Sequence, residues 1–310
     1  MPFRLKSFAA LCLAIAALAL SAGAAFGASP NFPGQIPLPD GWAPEGITAG
    51  RGTTVFVGSL ASGGILEADV RTGQSRILVN SASGPAVGTE YEQRANRLWV
   101  AGGPSGEVRV YDASTGDLLQ TYTFSPAGFL NDLVVTRGAV YVTDSFFQQL
   151  DVIPLGAAGT LPDPADTQIL PLTGDIHFQA NQFNANGIVS SRGWLIVCQS
   201  VTGQLFRVDP STGEALDIDL GGANATACDG LEVRGSTLYA VGNVLNRVAV
   251  FRLGAGLASA ALLGTITSPG LDVPTTVAFQ AGRLWLANAR FEVPPTPTTP
   301  YWLTRLPARP

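Results

Sequence analysis

One short phrase returns six times along the chain. Residues 53–59 read TTVFVGS, 97–103 RLWVAGG, 139–145 AVYVTDS, 194–200 WLIVCQS, 237–243 TLYAVGN and 283–289 RLWLANA. Aligned on Val55, Leu98, Val140, Leu195, Leu238 and Leu284, the copies are spaced by 43, 42, 55, 43 and 46 residues. Each copy has the apolar, β-branched and aromatic character of a buried strand. A period of that length predicts stacked sheets of about four strands each, so the expected fold is an all-β, six-bladed propeller. A propeller has an axis, and equivalent positions in successive blades converge on it. The repeat therefore tells which distant residues meet.

The rest of the sequence agrees with one closed β domain over residues 28–310. The whole chain's 36 glycines and 22 prolines are spread along it, as turns between short strands require. Segments 65–69, 108–112 and 205–209 read as third strands, and each runs into the same turn, Asp-x-x-Thr-Gly, at 69–73, 112–116 and 209–213. Asp bonds its own backbone two residues on and Gly supplies a positive φ, so these aspartates read as turn residues. Only three strands of the last blade fall in the C-terminal region, ending at residues 301–306. Its fourth is expected from residues 35–38, an exchange that closes the ring and removes an open edge. The 55-residue interval marks an insertion of about a dozen residues between Leu155 and Ala185, and long irregular loops of this kind are often functional.

Residues 1–27 read as a signal peptide. Arg4 and Lys6 make a basic start, residues 9–20 are apolar, and Ala25 and Gly27 fit the small positions before a cut ahead of Ala28. The apolar run is short for a membrane span, and no later run reaches about 18 apolar residues. The mature chain is expected to be secreted or periplasmic, with no membrane span. Losing Arg4 and Lys6 from eighteen basic residues leaves sixteen, all arginine, against 23 acidic ones. No basic run interleaved with aromatics occurs, which argues against nucleic acid as a partner. Cys198 and Cys228 are the two cysteines of the mature chain. An oxidising compartment permits a disulfide, two separate buried thiols fit as well, and the sequence leaves both open.

Nine residues before each aligned repeat position stand Thr89, Asn131, Asn186, Asp229 and Thr275; in the first copy the step is ten and gives Glu45. This position opens the innermost strand, so all six side chains are expected to line one mouth of the channel. Two carboxylates and two amide carbonyls facing one point make a site for a hard cation. Without one, Glu45 and Asp229 would repel each other in a partly desolvated channel. Mixed carboxylate and carbonyl ligation suits Ca²⁺ or another oxygen-preferring divalent ion, and the absence of a His or Cys cluster argues against zinc. Asp132 adjoins Asn131, and strand alternation is expected to turn it away from the axis.

The stretches Pro44-Glu45-Gly46-Ile47, Leu130-Asn131-Asp132-Leu133, Ala185-Asn186-Gly187-Ile188 and Cys228-Asp229-Gly230-Leu231 resemble four signature strands of one superfamily. It comprises the gluconolactonase and senescence-marker-protein (regucalcin) group, with diisopropylfluorophosphatase and paraoxonase as more distant relatives. The resemblance runs from about Ile36 to the end of the chain, and residues 274–278 and 288–291 are similar to a secreted branch of the group. It implies Ca²⁺ held by Glu45, Asn186 and Asp229, with Asn131 helping to bind metal or substrate. It further implies a hydrolase of lactones or phosphotriesters, with Asp229 as candidate general base. Sugar-lactone members carry an Arg just before the blade-three asparagine. Here Phe129 and Leu130 stand there, so a more apolar lactone or ester is the expected small-molecule substrate, with Thr89 and Thr275 completing the lining. His177, the one histidine, lies in the insertion and is the alternative base. The alternative function is a non-catalytic propeller that binds a ligand or partner around a structural ion.

Overall fold

The computed structural model describes residues 32–124 and 128–310. The expected signal peptide lies outside the described residues. Six small antiparallel sheets follow one another along the chain. Blade one is Pro44–Ala49, Thr54–Ser59, Ile65–Asp69 and Ser75–Val79, named from the axis outward. Blade two is Thr89–Glu92, Arg97–Ala101, Glu107–Asp112 and Leu118–Thr123; blade three is Leu130–Val135, Ala139–Asp144, Gln149–Pro154 and Gln168–Pro171. Blade four is Ala185–Ser191, Trp194–Gln199, Gln204–Val208 and Glu214–Asp217, with Thr173–Gly174 added in parallel at its outer edge. Blade five is Cys228–Arg234, Thr237–Gly242, Arg247–Leu253 and Ala260–Thr267. The innermost strands of neighbouring blades pack pairwise in chain order, and that of blade six packs on that of blade one, so the ring is closed.

Blade six closes as expected. Pro274–Gln280, Arg283–Asn288 and Tyr301–Leu306 take Gln35–Leu38 as their outermost strand. The pairing runs Gln35 to Thr304, Ile36 to Leu303, Pro37 to Trp302 and Leu38 to Tyr301. Ile36 is fully buried in a cluster with Trp42, Trp285 and Leu303. Replacing Ile36 with alanine removes apolar contact from both the strand exchange and this cluster. The expected loss is about 2–5 kcal/mol, read as a thermal midpoint lower by roughly 5–15 °C. A midpoint unchanged to within a degree would show that the exchanged strand does not hold the ring.

The six aligned repeat positions all lie on second strands, and all six side chains are buried. Sheets packed on both faces need apolar residues on both, so these strands read as near-continuous apolar runs. The repeated turn works as expected. Asp69 Oδ1 accepts from the amides of Arg71 and Thr72, and Gly73 sits at φ +76°. The insertion splits in two. Two short 3-10 turns, Ala157–Gly159 and Pro164–Asp166, precede the outer strand of blade three, and residues 175–184 lead into blade four. No helix among the described residues is long and apolar enough to cross a membrane.

Candidate functional site

Five of the six innermost strands break register at the same place. The shifts fall between Pro44 and Ile47, Leu130 and Leu133, Ala185 and Ile188, Cys228 and Leu231, and Pro274 and Val277. Blade two pairs regularly, with Thr89 opposite Val100 and Glu90 opposite Trp99. A bulge sets two residues against one and re-aims their side chains. It also corrects the expectation for Asp132. The extra residue breaks the alternation, and Asp132 lines the central channel together with Thr89, Glu90 and Glu232. The glycine after the site residue in blades one, four and five has its own cause. A Cβ at Gly46, Gly187 or Gly230 would run into the backbone of the next innermost strand, at Thr89, Asp229 and Thr276 respectively.

Glu45, Asn131, Asn186 and Asp229 are all buried at the second position of their strands. Three of them are held by one device. Asn131 Nδ2 donates to Ser145 Oγ at 2.9 Å, and Ser145 Oγ donates to the Ala185 carbonyl at 2.7 Å. Asn186 Nδ2 donates to Ser200 Oγ at 3.1 Å, and Ser200 Oγ donates to the Cys228 carbonyl at 2.5 Å. Because each hydroxyl proton is committed to a carbonyl, the serine oxygen must accept from the amide nitrogen. That fixes the amide orientation and leaves each Oδ1 as the free oxygen. In blade five Asn243 Nδ2 donates to Asp229 Oδ2 at 2.9 Å, leaving Oδ1. Every anchor lies fourteen residues after the group it holds. Ser145, Ser200 and Asn243 are the last letters of the repeated phrase. Where that letter is Gly103 or Ala289, the site residue is a threonine. Polar ends of the phrase were the signal that would have found these anchors.

The carboxylates of the channel are held away from their usual behaviour. Burial raises Glu45 well above the ordinary range, and the nearby Asp229 and Asp132 add to it. No side-chain hydrogen bond from a described residue offsets the cost of burying Glu45. Burial raises Asp229 to about 7 against the Asn243 hydrogen bond, and raises Asp132 to about 7 although its oxygens accept from the Leu133 and Ile188 amides. Deeper in the channel burial raises Glu90 to about 8, helped by Glu232, and raises Glu232 itself to about 7. Among the described residues no three Asp, Glu, His or Cys side chains group to hold an ion by themselves. Beside the carboxylates, the two fixed Oδ1 atoms present amide oxygens.

The remaining expected residues divide. Thr89 is buried and its Oγ1 has no partner among the described residues. Thr275 is fully buried, and its hydroxyl donates to the Glu45 carbonyl at 2.7 Å, tying blade six to blade one. Phe129 is half-buried and stacks edge-on against Phe183 at 5.2 Å, with Phe146 6.0 Å away. Leu130 does not line the channel. It packs at zero exposure among Trp99, Val108 and Tyr122, because its place just before the bulge turns it between blades two and three. His177 is exposed, and its backbone carbonyl accepts from Gln199 Nε2. The aromatic group rests on Asp144, whose Oδ1 accepts from the amides of Phe129, Phe146 and Phe147.

Cys198 and Cys228 are joined as a disulfide, with their Cα atoms 6.2 Å apart. The bridge links blade four to blade five one residue before Asp229. It closes a span of 30 residues, so a Cys198→Ser/Cys228→Ser variant should lose about 3–4 kcal/mol of stability. The measurement is the thermal midpoint with and without reductant. Equal midpoints for the wild type in both conditions would show that the bridge does not stabilise the ring.

No family model and no curated protein sequence matches the chain. Solved structures do resemble it. The major allergen Mala s 1 of Malassezia sympodialis aligns with TM-score 0.65 and 14% identity over 88% of this chain and 96% of the allergen. Virginiamycin B lyase from Staphylococcus aureus aligns with TM-score 0.57 and 14% identity over 82% of this chain and 81% of the lyase. A chain of the Nidogen/Laminin complex aligns with TM-score 0.57 and 14% identity over 76% of this chain and 86% of its own length. At such identity the likeness establishes the propeller fold, which in these neighbours serves a lyase, an allergen and a protein that forms a complex.

Proposed function

We propose that the mature chain is an exported, metal-dependent hydrolase of lactones or related esters, akin to the gluconolactonase and regucalcin group. Its ion is Ca²⁺ or a similar oxygen-preferring cation, taken by Glu45, Asn131, Asn186 and Asp229. The observation that carries this reading is the pair of amides whose Oδ1 atoms are left free by Ser145 and Ser200, beside two buried carboxylates with raised proton affinity. When bound, the ion supplies Lewis-acid polarisation of a carbonyl or phosphoryl oxygen.

The chain's own residues do the rest. Asp229, anchored through Oδ2 by Asn243, keeps Oδ1 to take a proton from the attacking water. Thr89 Oγ1 offers a free hydroxyl at the channel wall. Phe129, Phe146 and Phe183 form an apolar bed beside the blade-three site residue that suits the acyl part of an apolar ester and excludes water from it. The test is a panel of lactones, aryl esters and phosphotriesters, run with and without chelator alongside elemental analysis of the purified protein. Chelator-sensitive turnover supports the hydrolase. Protein that retains Ca²⁺ and turns over no panel member would make it a binding propeller with a structural ion.

A further inference from the structure

Each hairpin joining a first to a second strand carries an arginine in or beside it: Arg51, Arg94, Arg137, Arg192, Arg234 and Arg283. These hairpins lie at the end of the innermost strands opposite the candidate metal site. At three of the six hairpins such arginines tie neighbouring blades together. Arg51 donates to the Gln93 carbonyl at 3.0 Å, Arg94 to the Arg137 carbonyl at 2.7 Å, and Arg192 to the Gly254 carbonyl at 2.6 Å. Between blades five and six the arrangement changes. A groove of about 1230 Å³ is lined by Arg234, Arg252, Arg283, Arg305 and Arg309, and by no acidic residue. None of the five forms a salt bridge with any described residue, whereas Arg76, Arg94, Arg97, Arg109 and Arg290 do.

Two of the five side chains are held in place, and the segment bearing a third is pinned. The Arg234 guanidinium sits over the Phe279 ring at 4.7 Å. Arg305 Nη1 donates to the Phe32 carbonyl, and the segment bearing Arg309 is pinned where Tyr239 donates to the Ala308 carbonyl at 2.9 Å. Five like charges gathered with only the buried Glu232 beside Arg234 to offset them repel one another, although the chain as a whole is acidic, at −5. A bound anion relieves that repulsion, and guanidinium groups match phosphate and sulfate oxygens in pairs.

We propose that this groove is a binding site for a small polyanion presenting two or more clustered phosphate or sulfate groups. One phosphate engages about two guanidinium forks, so five groups call for a larger ligand. A long polymer such as nucleic acid would extend past the groove onto outer turns that carry carboxylates. The outer turns carrying Asp69, Asp112 and Asp209 stand at this same end of the blades.

The experiment is titration calorimetry of the full chain with inositol hexakisphosphate, sucrose octasulfate, inorganic phosphate and a short single-stranded DNA. At least one of the two clustered anions should bind at least about tenfold more tightly than inorganic phosphate, and its affinity should fall as ionic strength rises. The ratio of the two affinities separates a phosphorylated source from a sulfated one. The Arg252→Gln/Arg283→Gln/Arg309→Gln variant should weaken binding by roughly a hundredfold or more, while Arg71→Gln on a distant turn leaves it unchanged. Arg309→Glu alone, on the terminal segment, should also weaken it and guards against misfolding of the triple variant. Equal binding by wild type and both groove variants overturns the proposal. So does DNA binding as tight as that of the clustered anions.

Discussion

Asp229→Asn is expected to lower turnover about 10²–10⁴-fold even at saturating Ca²⁺, the range that a positioned general base contributes. The substitution keeps an oxygen for an ion and an acceptor for Asn243, whose amide holds Oδ2 at 2.9 Å. It removes a charge and the proton-accepting group. Asn186→Ala is the companion experiment. It deletes the Oδ1 that Ser200 leaves free, and it leaves the carboxylate in place. Its turnover should fall at low Ca²⁺ and recover in part as Ca²⁺ is raised. The measurement is initial rate against Ca²⁺ concentration for both variants on the best panel substrate. If both recover equally, Asp229 serves as a ligand only. The base is then sought elsewhere, with the exposed His177 the next to replace.

The chelator-treated protein should lose stability as pH rises from about 5 to about 8, and Ca²⁺ should restore it most at the alkaline end. The sign follows from the channel carboxylates. Burial raises Asp229, Asp132 and Glu232 to about 7 and Glu90 to about 8, and raises Glu45 as well. Between the unfolded values near 4 and these folded values, the native state binds more protons than the unfolded chain. Stability is therefore fully present below about pH 4 for these groups and is lost as pH climbs through 7 to 8. For Asp132, moved from 3.8 to about 7, keeping it ionised in place costs roughly 4 kcal/mol. Asp69 and Asp209 move the other way, so their contribution is lost only as pH falls below about 4, outside this window. A cation replaces the protons, so its affinity rises with pH. At a hundred times its dissociation constant it adds about 2.7 kcal/mol, or roughly 5–10 °C in thermal midpoint. The check is thermal unfolding at pH 5 and pH 8, with chelator and with Ca²⁺. A chelated protein equally stable at both pH values would show that these carboxylates are not held apart from water as the channel places them.

The sequence by itself determined the fold and the shared strand position of Glu45, Asn131, Asn186 and Asp229. Six copies of one buried-strand phrase fix six sheets. A fixed offset within a periodic fold fixes which residues face the axis, so Glu45, Asn131, Asn186 and Asp229 were legible as a set although Glu45 and Asp229 are far apart in the chain. The missing fourth strand of the last blade was legible for the same reason, since a sheet edge left open would need a partner. Only the tertiary structure decided what departs from simple periodicity. Alternation alone turns Asp132 outward, and the family resemblance gives Leu130 to the channel. The bulge at that point, which strand propensity does not encode, reverses the first, and the gap between two blades claims the second. The pairing of Cys198 with Cys228 depends on how closely neighbouring blades approach, 6.2 Å between Cα atoms. The five arginines of the groove come from the first and third strands of blade five, from Arg283–Asn288 and Tyr301–Leu306 of blade six, and from the terminal segment. Side chains from so many places meet only when the ring closes, because convergence across blades is a property of packing and not of any local stretch of chain.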